Sequence, residues 1–145
     1  MQPLINIDEL EFHSQTYGER FAEHMAPIAS RIGARQLGCR LTLVPPGKKA
    51  WPYHAHLVND EMFFVLEGNG TLKLADKTYP LRARDIACCA ADPEAAHEIR
   101  NDSSEDLKYL AISSMLEPKW CCIPTRRNSA LSPGDRRGAA RAKRC

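Results

Sequence analysis

His54 and His56 stand two residues apart, and Glu61 follows five residues after His56. Side chains on an extended strand alternate between faces, so the two imidazoles would project from one face. Two imidazoles and a carboxylate are three of the ligands that a divalent transition metal takes. His97, in the run His-Glu-Ile-Arg-Asn, could supply a fourth. A lone histidine on a strand is more often packed or surface-exposed. Here the pair, the nearby acid and the flanking Gly47 and Gly68 favour a ligand set. Such a set suits Mn, Fe, Ni or Zn and does not choose among them. A metal with open positions can polarise a carbonyl or hydroxyl, or activate oxygen.

The spacing runs Gly47, a gap, His54-x-His56, four residues, Glu61, six residues, Gly68. It resembles the first motif of the cupins. Arg84-Asp85 through His97 to Asn101, with Pro93 between, resembles the second motif. Arg84 stands where that motif opens with glycine, the loop glycine is absent, and Pro93 is slightly displaced. The resemblance covers residues 38 to 113, and the N-terminal segment loosely. It implies an all-β fold, a cupin jelly-roll (double-stranded β-helix) barrel. A divalent transition metal would sit in the barrel's mouth on His54, His56, Glu61 and His97, with positions open for water and substrate. The family includes dioxygenases, decarboxylases, sugar isomerases and epimerases, and non-catalytic binding modules, and the fold does not select among them. The expected function is to bind or act on a small oxygen-rich molecule, a sugar derivative or an organic acid. A non-catalytic binding or sensor role is the alternative. Arg40, Tyr53 and Phe63 are candidates for the pocket wall, although Arg40 and Tyr53 suit an outward face at least as well. Lys48 and Lys49 fit solvated loop positions better than an anion site. An isomerase would need an acid or base besides the ligands, and none stands out.

The elements that would position these residues are strands. Leu37, Cys39, Leu41 and Leu43 alternate with Gly38, Arg40, Thr42 and Val44, the period of a half-buried strand. Pro45-Pro46-Gly47 ends it in a turn. Pro52 cannot donate to a ladder, so Trp51 to His56 reads as an edge or a bend. Glu61 to Glu67 gives the clearest strand, with Glu61, Phe63 and Val65 on one face and Met62, Phe64 and Leu66 on the other. That second face is too apolar to stay wet in a monomer. It must meet the lead-in segment or a second subunit, and a homodimer is expected. Gly68-Asn69-Gly70 reads as a tight hairpin turn. Short strands follow at Thr71 to Ala75, Thr78 to Arg82, Ile86 to Cys89, His97 to Asn101 and Leu107 to Ile112. Many short strands at such spacing indicate a sandwich or barrel. Ahead of them, Tyr17 to Met25 reads as one strand with Phe21 inward and Glu23 and His24 mostly outside.

The 145 residues suit one domain, with 43% hydrophobic content. The expected organisation is a lead-in over residues 1–36, a barrel over 37–118 and a basic tail over 119–145. Twelve of the 20 basic and 17 of the 18 acidic residues precede Lys119, so the body carries −5 and the tail produces the overall +2. A body with that balance makes nucleic acid an unexpected partner. The tail loses apolar periodicity, which predicts disorder. An out-of-frame origin, replacing a native C-terminal strand, is the competing reading. No run of about 18 apolar residues is present, so no membrane span is expected. The acidic start lacks a secretory pattern, which points to the cytoplasm. The six cysteines include no CxxC spacing, which argues against a zinc knuckle.

Overall fold

A computed structural model of the chain describes residues 3–117 and 119–123, together with the backbone of 141–144. A short 3-10 turn at Ile7–Glu9 precedes strands β1 (His13–Tyr17), β2 (Phe21–Pro27), β3 (Leu37–Val44), β4 (Ala55–His56), β5 (Glu61–Glu67) and β6 (Asn69–Leu74). They continue as β7 (Lys77–Arg82), β8 (Ile86–Cys89), β9 (His97–Arg100), β10 (Leu107–Ser114), β11 (Trp120–Ile123) and β12 (Arg141–Arg144). The fold is all-β: no α-helix occurs among the described residues, and no helix there is long and apolar enough to cross a membrane. One sheet runs in the order β1-β2-β3-β10-β5-β8. A second runs β7-β6-β9, and a third β12-β11-β4.

The period-two patterns decide what lies between the sheets. On β5, Glu61, Phe63 and Val65 are buried, while Met62 is exposed and Phe64 and Leu66 are half-buried. On β10, Leu107, Tyr109 and Ala111 are buried in the same rhythm. These side chains meet Leu72 of β6, Leu81 of β7 and Ile99 of β9 in one core. The six-stranded sheet and the β7-β6-β9 sheet thus enclose a single interior, the jelly-roll barrel. Each large apolar side chain buried there contributes roughly 1.5–3 kcal/mol. A second cluster lies on the outer face of the large sheet. Leu10, Ala26, Ile28 and Leu41 pack there with Ile5, Ile7, Ile32, Leu66 and Leu110, so the first thirty-odd residues cover that end of the face.

Three local expectations change. Tyr17 to Met25 is not one strand but the end of β1, a turn and most of β2, paired as a hairpin with Tyr17 opposite Phe21. Gly18 makes the turn at φ 61°. Gly68-Asn69-Gly70 is not a hairpin turn, because β5 pairs with β10 and β8 while β6 pairs with β7 and β9. It is the corner where the chain leaves one sheet for the other. Alternation along β5 reports which face is buried but not which strand lies beside it. Gly68 holds φ 79° there, and a Cβ would collide with the Asp106 carbonyl oxygen. Thirdly, Trp120–Ile123, inside the segment read as tail, pairs with Ala55–His56 on one side and Arg141–Arg144 on the other. The expected disorder of the tail and its out-of-frame origin otherwise concern residues 124–140 and Cys145, which lie outside the described residues.

Arg84, standing where glycine is expected, adopts φ 77°. Its N–H donates to the Val65 carbonyl at 2.8 Å, and Val65 N–H donates to Asp85 at 3.0 Å. The pairing fixes the conformation whatever the side chain. Left-handed backbone costs an L-residue about 1–2 kcal/mol, and glycine gives back roughly 0.5–1 kcal/mol through the freedom of its unfolded chain. Arg84→Gly is therefore expected to stabilise the fold by roughly 0.5–1 kcal/mol. Urea unfolding of the two chains checks this, and a less stable variant would refute it.

Candidate metal centre

The backbone brings the two motifs together. His54 and His97 form an antiparallel bridge, His54 N–H donating to His97 at 3.0 Å and His97 N–H to His54 at 2.7 Å. Their rings lie 4.7 Å apart between centroids. His56 follows on β4, on the same side as His54. The chain then reverses through Asn59, whose side chain pins the loop to the end of β10. Asn59 Nδ2 donates to the Leu116 carbonyl at 3.0 Å, and Oδ1 accepts from Leu116 N–H at 2.7 Å. Ser114 Oγ donates to the same oxygen at 3.0 Å. This anchor starts β5 at Glu61 with its carboxylate inside the barrel.

One ligand atom from each of His54, His56, Glu61 and His97 lies within 4.8 Å of the others. His56 Nε2 is 3.0 Å and His97 Nε2 3.2 Å from Glu61 Oε2. His54 Nε2 and His56 Nε2 are 3.2 Å apart. Carbonyl oxygens only accept, so the 2.8 Å contact of His54 Nδ1 to Pro52 and the 3.1 Å contact of His97 Nδ1 to Ala95 put N–H on both Nδ1 atoms. Neutral His54 therefore turns an unprotonated Nε2 to the cluster, and deprotonated His97 does the same. That is how outer hydrogen bonds orient histidine ligands. The cluster could hold a metal ion.

The charges fit that use. Burial, helped by the charge of His97, lowers the His54 pKa to about 4, so its imidazole is neutral at physiological pH. Burial opposes charge on His97 too, but the Cys89 thiol and the Glu61 carboxylate lift its pKa to about 10. Burial alone would raise the Glu61 pKa. Hydrogen bonds from His56 and His97, with the Arg40 charge, outweigh it and hold the carboxyl well below the usual range. A group of three imidazoles around an ionised acid is poised to exchange a proton for a cation.

The other expected pocket residues divide. Phe63 is buried, edge-on to His97 at 5.8 Å, and lines a small cleft with Arg40, Trp51, His54, Glu61 and His97. Arg40 Nη2 lies 3.9 Å from Glu61 Oε1. Arg40 and Glu61 also line a second, roomier cleft, with His56, Lys119 and Trp120. Tyr53 is placed elsewhere: its hydroxyl donates to the Ala75 carbonyl at 3.1 Å, and Lys73 Nζ sits 4.4 Å above its ring. The loop lysines are engaged as well. Lys49 pairs with Glu98 at 2.8 Å, and Lys48 donates to the Glu19 carbonyl at 2.6 Å. Asn101 is a brace, its Nδ2 donating to Val44 at 2.8 Å and Glu105 at 2.6 Å.

Sequence reasoning missed Glu23. It was expected mostly outside, yet it is 2% exposed. Alternation from inward Phe21 would have placed it inside, two residues on. Burial, against the pull of Arg40, raises its pKa from 4.5 to about 7. An acid whose folded pKa is raised favours the native state while protonated. Its contribution is full below pH 4.5 and is lost as pH rises through about 7.

Residues 40–113 match the Cupin domain family. The chain belongs to the cupin superfamily. This cupin is 29% identical over 99 residues to the oxalate-binding protein of Thermotoga maritima, covering 68% of this chain and 78% of that one. It is 31% identical over 117 residues to auxin-binding protein 1 of Arabidopsis thaliana, covering 75% of this cupin but 57% of the plant protein. A crystal structure from Acidithiobacillus ferrooxidans, provisionally assigned as a sugar phosphate isomerase, superposes with a TM-score of 0.76 at 26% identity, covering 85% of this chain and 81% of that one.

Proposed function

We propose that this cupin holds one divalent transition metal, Mn, Fe, Ni or Zn, on His54, His56, His97 and Glu61, and that it binds a small anionic, oxygen-rich molecule beside that metal. The single observation behind this is the convergence of three imidazoles and one carboxylate within 4.8 Å at the meeting of two clefts. A bound metal would supply Lewis-acid polarisation of a ligand oxygen. The protein supplies the rest. Pro52 and Ala95 hold the imidazoles in the right tautomer, Phe63 gives the cleft an apolar wall, and Arg40 offers a guanidinium to a carboxylate or phosphate. The relatives named for binding oxalate and auxin favour an organic acid held at the site. The isomerase-like structure favours a phosphorylated sugar, and Arg40 suits either anion.

The test is metal-dependent binding. Purified protein should carry about one transition-metal ion per chain by mass spectrometry. Isothermal titration with oxalate, and separately with a sugar phosphate, should give heat for at least one when metal is present and none after chelation. Binding that survives chelation, or a chain that takes up no metal, would overturn the reading.

A further inference from the structure

The roomier cleft is completed by a segment outside the residues that match the family. That match ends at residue 113, yet Lys119 and Trp120 line the cleft beside Arg40 and the metal ligands His56 and Glu61. Backbone pairing fixes their strand against the one that carries His56. Cys121 lies opposite His56 and Cys122 opposite Ala55, and Leu57 N–H donates to the Trp120 carbonyl at 3.0 Å. Cys122 is buried and packs with Ala55 and Ala96. This pairing and packing hold β11 in register, and so set where Lys119, two residues before Cys121, meets the cleft. Lysine side chains are mostly left in water, but Lys119 is half-buried. Trp120 beside it is 41% exposed, a large apolar ring at the mouth.

We propose that Lys119 is a specificity-determining residue, which binds an anionic group at the end of a small acid pointing away from the metal. The inference rests on the metal-and-anion reading above and narrows it to a ligand with anionic groups at both ends. Charge sets this class. With the imidazoles neutral, a divalent ion beside Glu61 leaves one positive charge, and Arg40 and Lys119 add one each. Arg40 is already drawn to Glu61 at 3.9 Å and stands 5.8 Å over the Trp51 ring. Lys119 is the second cation on the cleft wall. A monoanion held at the metal leaves two of these charges uncompensated. A ligand with a second carboxylate, or with a phosphate, meets Lys119 as well. An ammonium serves either group as a point charge on a flexible stem. The Trp120 ring offers apolar surface to the carbon chain between the two ends.

The test uses the full chain, three acids with a common head and two variants. Glycerate, malate and 3-phosphoglycerate share a carboxylate with an adjacent hydroxyl. They differ at the far end, which is a hydroxyl, a carboxylate or a phosphate. Titration calorimetry should find malate or 3-phosphoglycerate about 10-fold or more tighter than glycerate, the worth of one hydrogen bond between charged groups. Which of the two gains separates a carboxylate from a phosphate at Lys119. Lys119→Gln should bring the preferred acid to within about two-fold of glycerate, with metal content and glycerate affinity as in wild type. Lys119→Arg should restore most of the preference, which a packing role for the side chain would not predict. Equal wild-type affinities, or no heat from any of the three acids, would overturn the inference. So would a preference that persists in Lys119→Gln, because the metal and Arg40 alone would then explain it. Metal content is read separately. A metal-free chain that still ranks the acids through Lys119 would keep the far-end site and sink the metal reading. A metal-loaded chain without the preference would do the reverse.

Discussion

His56→Ala is expected to release most of the bound metal while the barrel stays folded. Its Nε2 lies 3.0 Å from Glu61 and 3.2 Å from the His54 nitrogen, so it occupies one corner of the cluster. Its side chain is 20% exposed at the mouth, whereas that of His97 is 2% exposed. Truncating His97 would open a hole in the core and strip Glu61 of a buried partner, confounding ligation with stability. Truncating His56 opens the cluster toward solvent instead. Losing an outer partner of a ligand already costs about 10- to 100-fold in metal affinity, and losing a ligand should cost at least that. Mass spectrometry after dialysis against buffered metal, with circular dichroism as the folding control, reads the result. Unchanged metal content in a folded variant would mean that the cluster is not the site.

The reach of the sequence is visible in particular residues. His54, His56 and Glu61 were readable because a strand places i and i+2 together and because Glu61 opens an alternating run. His97 could be named from the second motif, but its position opposite His54 could not. That contact spans more than forty residues and depends on backbone pairing, which carries no local signal. The same limit explains the corner at Gly68. A glycine-rich reversal between two strands looks like a hairpin until the partner strands are known. Arg84 is the converse case: the departure from the motif was legible, and the backbone keeps the glycine-like conformation despite the arginine. Glu23 shows residue chemistry misleading the reader. A charged side chain was sent outward on type alone, when the alternation from Phe21 pointed inward. Burial raises the pKa of that inward acid to about 7, so its cost to the fold appears only as pH rises through that value.

Phe64→Glu is expected to turn a homodimer into a monomer. The outer face of the large sheet is apolar at both ends, but the lead-in segment covers only one of them. Leu66 and Leu110 pack under Ile5, Ile7 and Ile28. Beyond Leu66, Phe64 is half-buried, Met62 is 39% exposed and Ile86 is 66% exposed. The register sets Phe64 opposite Ile86 on β8 and Leu110 on β10, with Met62 opposite Cys88 and Ile112, so these side chains form one contiguous surface. Alternation makes that exposure unavoidable, because Glu61, Phe63 and Val65 must face the interior. A second copy of the chain brings an equally apolar sheet and would bury the patch by a two-fold contact. At its centre Phe64 would behave as an anchor, and a carboxylate there would be desolvated without a partner. The expected loss is roughly 2–4 kcal/mol of association energy, or about 30- to 1000-fold in dissociation constant. Size-exclusion chromatography with light scattering at micromolar concentration should give a dimer for wild type and a monomer for the variant. Thr78→Glu, on exposed β7, is the control and should leave the dimer intact. A monomeric wild type, or a Phe64→Glu dimer as tight as wild type, would rule out pairing through this face.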